Sequence, residues 1–160
     1  MTPQRSIETT EALYRKLVRT FDRRSAYGEH QVDWVFDFAV SAWHLVDWVA
    51  IETGAKVDDT QERLKTKCPE LVVCEQLCNG AKHLKLNNAK LQPFDVKRDV
   101  RGTNDLEGIV RDVRGNGDTS FDVVLTPVVS ITDKNKKTER ALLLFHTVIR
   151  FWQVELGLPD

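Results

Sequence analysis

At 160 residues the chain has the length of one domain and can bury a substantial core without disulfide or metal staples. With 41% hydrophobic residues, 29% charged residues and a net charge of −1, its composition is ordinary for a globular domain. No global field draws such a chain to nucleic acid or to an anionic membrane.

Cys68, Cys74 and Cys78 stand at no disulfide-framework spacing, and the polar start MTPQRSIETTEALYRK carries no secretory signal. The apolar runs are too short and too interrupted by charge to cross a bilayer. Together these features predict a cytoplasmic chain with reduced thiols and no membrane partner.

Ser6 and Thr9 are candidate N-caps for a first helix, Thr9 to Arg24, with Leu13, Leu17, Val18 and Phe21 at helical spacing. Ala26-Tyr27-Gly28 breaks it. A second helix is predicted from about His30 to Glu52, stopped at Thr53-Gly54. Asp58-Asp59-Thr60 can cap a short helix, Gln61 to Lys67. The next helix, Pro69 to about Leu86, opens with Pro and Glu as helix starts prefer.

After Pro93 the pattern turns β-branched: Phe94 to Val96, Leu106 to Val113 and Ser120 to Ile131. Residues 113–118, Val-Arg-Gly-Asn-Gly-Asp, supply a hairpin signal between two of these segments. Residues 133–137 form a charged loop, and Thr138 to Leu156 returns to helical period.

The predicted fold is mainly α (α+β). A bundle of four or five helices carries an antiparallel β-hairpin or three-stranded meander inserted before the last helix. The whole is one domain: residues 1–92 are helical, 93–133 form the β insertion and 138–157 the closing helix. The alternative is an α+β domain with a central sheet covered by helices on one face.

The most informative stretch is Val32 to Ile51, apolar nearly all round a helix except for one stripe. Asp33, Asp37, His44 and Asp47 fall on one face, with Ser41 and Trp48 along its edge. Helices apolar all round are buried, so the stripe is expected to wall an internal cleft or a partner. Buried acids persist there only when paired, hydrogen-bonded or bound to a cation.

On the Pro69 helix, Cys78-Asn79-Gly80-Ala81-Lys82-His83 supplies matching chemistry. If the two helices pack together, His44, Asp47, Lys82 and His83 are candidate catalytic residues. His44, Asp47, Cys78 and His83 are candidate ligands for a divalent metal, with the thiolate favouring zinc. Bundle metal sites usually repeat Glu-x-x-His on paired helices, whereas His44-x-x-Asp47 occurs once. The competing structural use is a hydrogen-bonded polar core in which the thiols pack as small hydrophobes and no cofactor binds.

The charges of the β segment, Lys97, Arg98, Arg101, Arg111 and Arg114, alternate with Asp95, Asp99, Glu107 and Asp112. Mixed signs give little attraction for phosphate. Lys134, Lys136, Lys137 and Arg140 form a dense basic run that reads as a solvated loop. No phosphate loop follows Gly115-Asn116-Gly117, and no nucleophile elbow is present.

Two resemblances bear on function. Phe38 to Trp48 followed by Cys78 to Leu84 resembles a pattern of small uncharacterised bacterial helical proteins: aromatic-His-x-x-Asp-Trp, then Asn-x-x-Lys-His. It implies that His44, Asp47, Lys82 and His83 meet in space. Arg140-ALLLF-His146 resembles the Arg-x(4–6)-His motif of HEPN-type ribonucleases, which act on RNA at a dimer interface, and Arg24-SAYGE-His30 matches equally. Ala141 departs from that family's usual polar residue. Residues six apart in one helix also diverge in direction, so Arg140 would need to lie on a frayed first turn.

Three functions are therefore in contention. The first is a non-catalytic binding or assembly module built as a homodimer. The second is a HEPN-like RNA-cleaving effector of a defence or toxin–antitoxin system, and the third is a metal-dependent hydrolase.

Overall fold

The computed structural model describes residues 7–82, 95–99, 111–112, 121–122, 128–132 and 135–159. Helix α1 spans Thr10–Asp22, and the Thr9 hydroxyl caps it by accepting from the Ala12 N–H at 3.1 Å. Leu13, Tyr14 and Leu17 form its buried face. The chain then turns through a 3₁₀ segment, Arg24–His30, where Gly28 takes φ +54°, a conformation that disfavours other residues.

Helix α2 runs Gln31–Thr53 and ends at Gly54, φ +67°. The Ala55 N–H returns to the Ala50 carbonyl at 3.0 Å, closing the helix as its Gly signal predicts. Helix α3 covers Val57–Lys67 and starts earlier than expected. Asp58 and Asp59 lie inside its first turn rather than capping it, where their charge meets the positive end of the helix dipole. Helix α4 covers Glu70–Lys82. The expected continuation to Leu86 lies outside the described residues.

Two small antiparallel sheets precede the last helix. Strand β1 (Asp95–Asp99) pairs with β4 (Val128–Thr132), Asp95 opposite Thr132 and Asp99 opposite Val128. Strands β2 (Arg111–Asp112) and β3 (Phe121–Asp122) pair with each other, Asp112 opposite Phe121. The Gly115-Asn116-Gly117 turn between them lies outside the described residues.

Strand β5 (Thr138–Arg140) completes the first sheet, in the order β1-β4-β5. Residues 138–140 were expected to be helical. Their backbone instead pairs with β4, and the Thr132 and Thr138 hydroxyls lie 2.9 Å apart across the ladder. Helix α5 therefore begins at Ala141 and runs to Glu155.

Helix α2 lies at the centre, in contact with α1, α3, α4 and α5. It contributes Trp34, Val35, Phe38, Ala39, Ala42, Leu45 and Val46, all buried. Phe38 stacks on Phe145 of α5, ring centroids 4.0 Å apart, and Trp34 meets the same ring edge-on at 5.2 Å. The Trp34 Nε1–H donates to the Thr20 carbonyl at 2.9 Å, so the indole is hydrogen-bonded as well as packed. Burying a large side chain of this kind contributes about 1.5–3 kcal/mol.

The stretch Arg24–Thr53 is, by length and composition, long and apolar enough to cross a bilayer, with a mean hydropathy of 1.2. This departs from the expectation that no segment qualifies. Yet 61% of its apolar window is buried inside the fold, as in the central helix of a bundle.

Candidate functional site

The polar stripe of α2 is the accessible side of the helix, not the wall of an internal cleft. Asp33 and Asp37 are exposed, while His44, Asp47 and Trp48 are half-buried. Ile51, one turn beyond Asp47 on the same side, is 75% exposed. The exposed acids Asp33 and Asp37 keep contact with water. Only Ser41 at the edge is buried, and its Oγ accepts from Lys16 Nζ at 3.3 Å. Asp47 makes no hydrogen bond or ion pair among the described residues.

The expected convergence with α4 divides. Cys78 and Cys74 are fully buried and Cys68 nearly so. Burial pushes the Cys74 thiol up, and the nearby Cys68 and Cys78 sulfurs and Glu70 add to it. Burial and the bond to Glu70 Oε2, 3.4 Å away, likewise push Cys68 up to about 12. Such thiols stay protonated and pack as small hydrophobes. No group of three potential metal ligands gathers among the described residues. Lys82 is the last residue of α4. His83, on which both the catalytic and the metal candidates depended, lies outside the described residues.

The described residues instead build a site where α1, the 3₁₀ segment and α2 meet. Lys16, Arg19, Thr20 and Arg23 of the α1 end line, together with Ala26 and Tyr27, an open groove of about 410 Å³. Helical spacing places 16, 19, 20 and 23 on one side of α1. Tyr27, on the 3₁₀ segment just before the non-helical Gly28, lines the same groove. The Tyr27 hydroxyl donates to Asp37 Oδ2 at 2.8 Å, which fixes the ring against α2.

The electrostatics of this groove are uneven. Several cations elsewhere are matched: Arg15 with Glu11, Arg63 and Lys67 with Glu155, Lys65 with Glu62 and Glu75. Arg19 and Arg23 make no ion pair among the described residues. Burial pushes the Tyr27 phenol up to about 12, reinforced by the bond and charge of Asp37 and by Asp33, with Arg23 opposing. The carboxylates therefore act on Tyr27, and the guanidinium groups remain available.

Sequence reasoning missed this groove. Its signal was Lys16, Arg19, Arg23 and Tyr27 at successive helical turns, but the denser basic run 134–140 drew the charge-pattern reading instead.

The other candidate pair, Arg140 and His146, gains geometry. Arg140 is not on the helix: its φ of −76° and ψ of 124° are extended, and it is the N-cap of α5. His146 is exposed, its ring centroid 6.4 Å from that of Phe21. The divergence expected of residues six apart in one helix therefore does not apply. Of the second match, Arg24 lies over the Phe21 ring at 5.9 Å. His30 lies at the end of the 3₁₀ segment, 3.6 Å from Glu29.

Compared with known proteins, the chain matches no family model, no curated protein and no solved structure.

Proposed function

We propose that this protein is a non-catalytic binding module whose ligand is a small anion held in the groove between α1 and the 3₁₀ segment. The observation that carries this reading is the convergence of Lys16, Arg19 and Arg23 on one open cavity. Three exposed cations along about two turns of chain raise the local positive potential, which a bound anion would relieve. Arginine adds a planar fork suited to bidentate oxyanion recognition.

The competing structural use is compensation of the α1 dipole, since cations near a helix C-terminus gain about 0.3–1 kcal/mol. That role needs no cavity and no aromatic wall, and this site has both.

Calorimetric titration of the whole chain with pyrophosphate at low salt tests the reading. Saturable binding that is abolished in Arg19→Ala/Arg23→Ala is the expected result. Absence of heat in the wild type refutes it.

A second reading, the HEPN-like ribonuclease, is favoured by one observation: Arg140 lies at the end of β5 with His146 exposed two turns further on. Cleavage of a labelled RNA by the wild type and its loss in His146→Ala would support it. Because such a site is formed by two subunits, a mass near 18.3 kDa by light scattering removes this reading together with the expected homodimer.

A further inference from the structure

Resting on the anion-binding reading, we infer that the ligand of the α1 groove is a phosphate monoester carried on a flat ring system, the chemistry of a nucleoside monophosphate. Two unlike sets of residues line the groove. Lys16, Arg19 and Arg23 supply positive charge on the α1 side, and Thr20 adds a short polar side chain among them. Ala26 and Tyr27, on the 3₁₀ segment, add apolar and aromatic surface to the same groove.

A bare anion would use only the first set. A ligand that fills both has a doubly charged head and a body that packs on a ring. Aromatic faces accept flat heterocycles by stacking.

Two details fix the orientation. The Tyr27 hydroxyl is committed to Asp37, so the ring is held in one position and its contribution to a ligand is its face or edge rather than a hydrogen bond. Lys16 Nζ donates to Ser41 Oγ at 3.3 Å, which tethers its ammonium to α2 beside the groove. The head group is therefore placed toward Lys16 and the two arginines, and the body lies along Ala26 and Tyr27.

Size and charge decide between a small ligand and a strand. About 410 Å³ falls in the range of about 300–1,000 Å³ typical of small-molecule sites. A single-stranded nucleic acid needs a continuous basic track with several stacking platforms. Beyond this groove, described cations such as Arg15 and Lys65 are paired with Glu11 and Glu62.

The test is a competition panel on the whole wild-type chain at low salt: adenosine 5′-monophosphate, methyl phosphate, pyrophosphate and adenosine. The nucleotide should bind about tenfold tighter than methyl phosphate, since one stacked ring is worth roughly that factor, and adenosine should not bind measurably. Tyr27→Phe keeps the ring and should keep that preference, whereas Tyr27→Leu should erase it; circular dichroism establishes that each variant is folded. Arg19→Ala should weaken all three phosphate ligands by about tenfold.

Equal affinity for nucleotide and methyl phosphate overturns the flat-body inference while leaving the anion site standing. Binding of adenosine as tightly as its monophosphate overturns the placement of the phosphate on the arginines. If no member of the panel binds, the anion-binding reading falls with it.

Discussion

Glu155→Gln cuts the tie that holds the end of α5 to α3. Both carboxylate oxygens are in use: Oε1 accepts from Arg63 Nη1 at 2.6 Å and Oε2 from Lys67 Nζ at 2.8 Å. The Glu155 side chain is 15% exposed, its partners 45% and 50%. An exposed pair contributes about 0–1 kcal/mol, and breaking a buried one costs about 3–5 kcal/mol. This site lies between the two, because the carboxylate is largely dehydrated while both cations regain water once it is neutralised. The expected loss at neutral pH is about 1–2 kcal/mol.

The pH dependence of this tie has a definite sign. Burial pushes the Glu155 carboxyl up, but the hydrogen bonds from Lys67 and Arg63 and their charges outweigh it, so its folded value lies below the ordinary one. Such a group adds stability above its unfolded value, about 4.3 for glutamate. That stability disappears as pH falls through the lower folded value. Urea unfolding read by tryptophan fluorescence at pH 7 and through the acid limb is the assay. The two proteins should differ at pH 7 and converge below the folded value. Equal stability at pH 7, or a gap that survives unchanged in strong acid, refutes the reasoning.

Three further outcomes are expected. Tyr27 should ionise near pH 12 in a Tyr14→Phe background and at a lower pH once Asp37→Asn is added; its contribution to stability is present below about pH 10 and lost as pH rises toward the folded value. An ultraviolet titration in which Tyr27 ionises like free tyrosine contradicts this. Trp34→Phe should cost about 1 kcal/mol more than Trp152→Phe, because Trp34 forfeits its bond to the Thr20 carbonyl whereas the buried Trp152 Nε1 has no partner to lose; equal thermal shifts would show that bond to be idle. Cys68, Cys74 and Cys78 should all resist a thiol reagent at pH 8 until the protein unfolds, given their burial, and one fast-reacting thiol in the native state would overturn their packing role.

Much of the helical architecture was legible because its signals are local. Thr9 caps α1, Gly54 ends α2 in the left-handed conformation, and Gly28 breaks the chain between them. Each is a backbone requirement that one residue type satisfies. The misread segment, Thr138 to Arg140, shows where local signals stop. Three residues preceding a strong helical period carry no pattern of their own, and what makes them a strand is β4, several residues upstream. Pairing of this kind is decided by the partner, so the same triplet beside no edge would extend α5. The start of α3 was missed for a smaller reason: Asp58 and Asp59 favour both a cap and a first turn, and the spacing alone does not separate the two.

The site was harder to read than the fold because its components are unremarkable one at a time. A helix apolar on most of its circumference suggests that whatever is polar on it is also buried, and that inference fails when neighbours are few enough to leave one side open. Among the described residues four helices contact α2, and Asp33 and Asp37 of its stripe are exposed. Arg19 and Arg23, read in sequence, are solvated ends of an amphipathic helix. They line a groove only together with Ala26 and Tyr27 of the 3₁₀ segment that follows α1. The acidic stripe thus has a use that differs from the one expected of it. Asp37 accepts the hydrogen bond of Tyr27, the aromatic residue that lines the groove with the arginines.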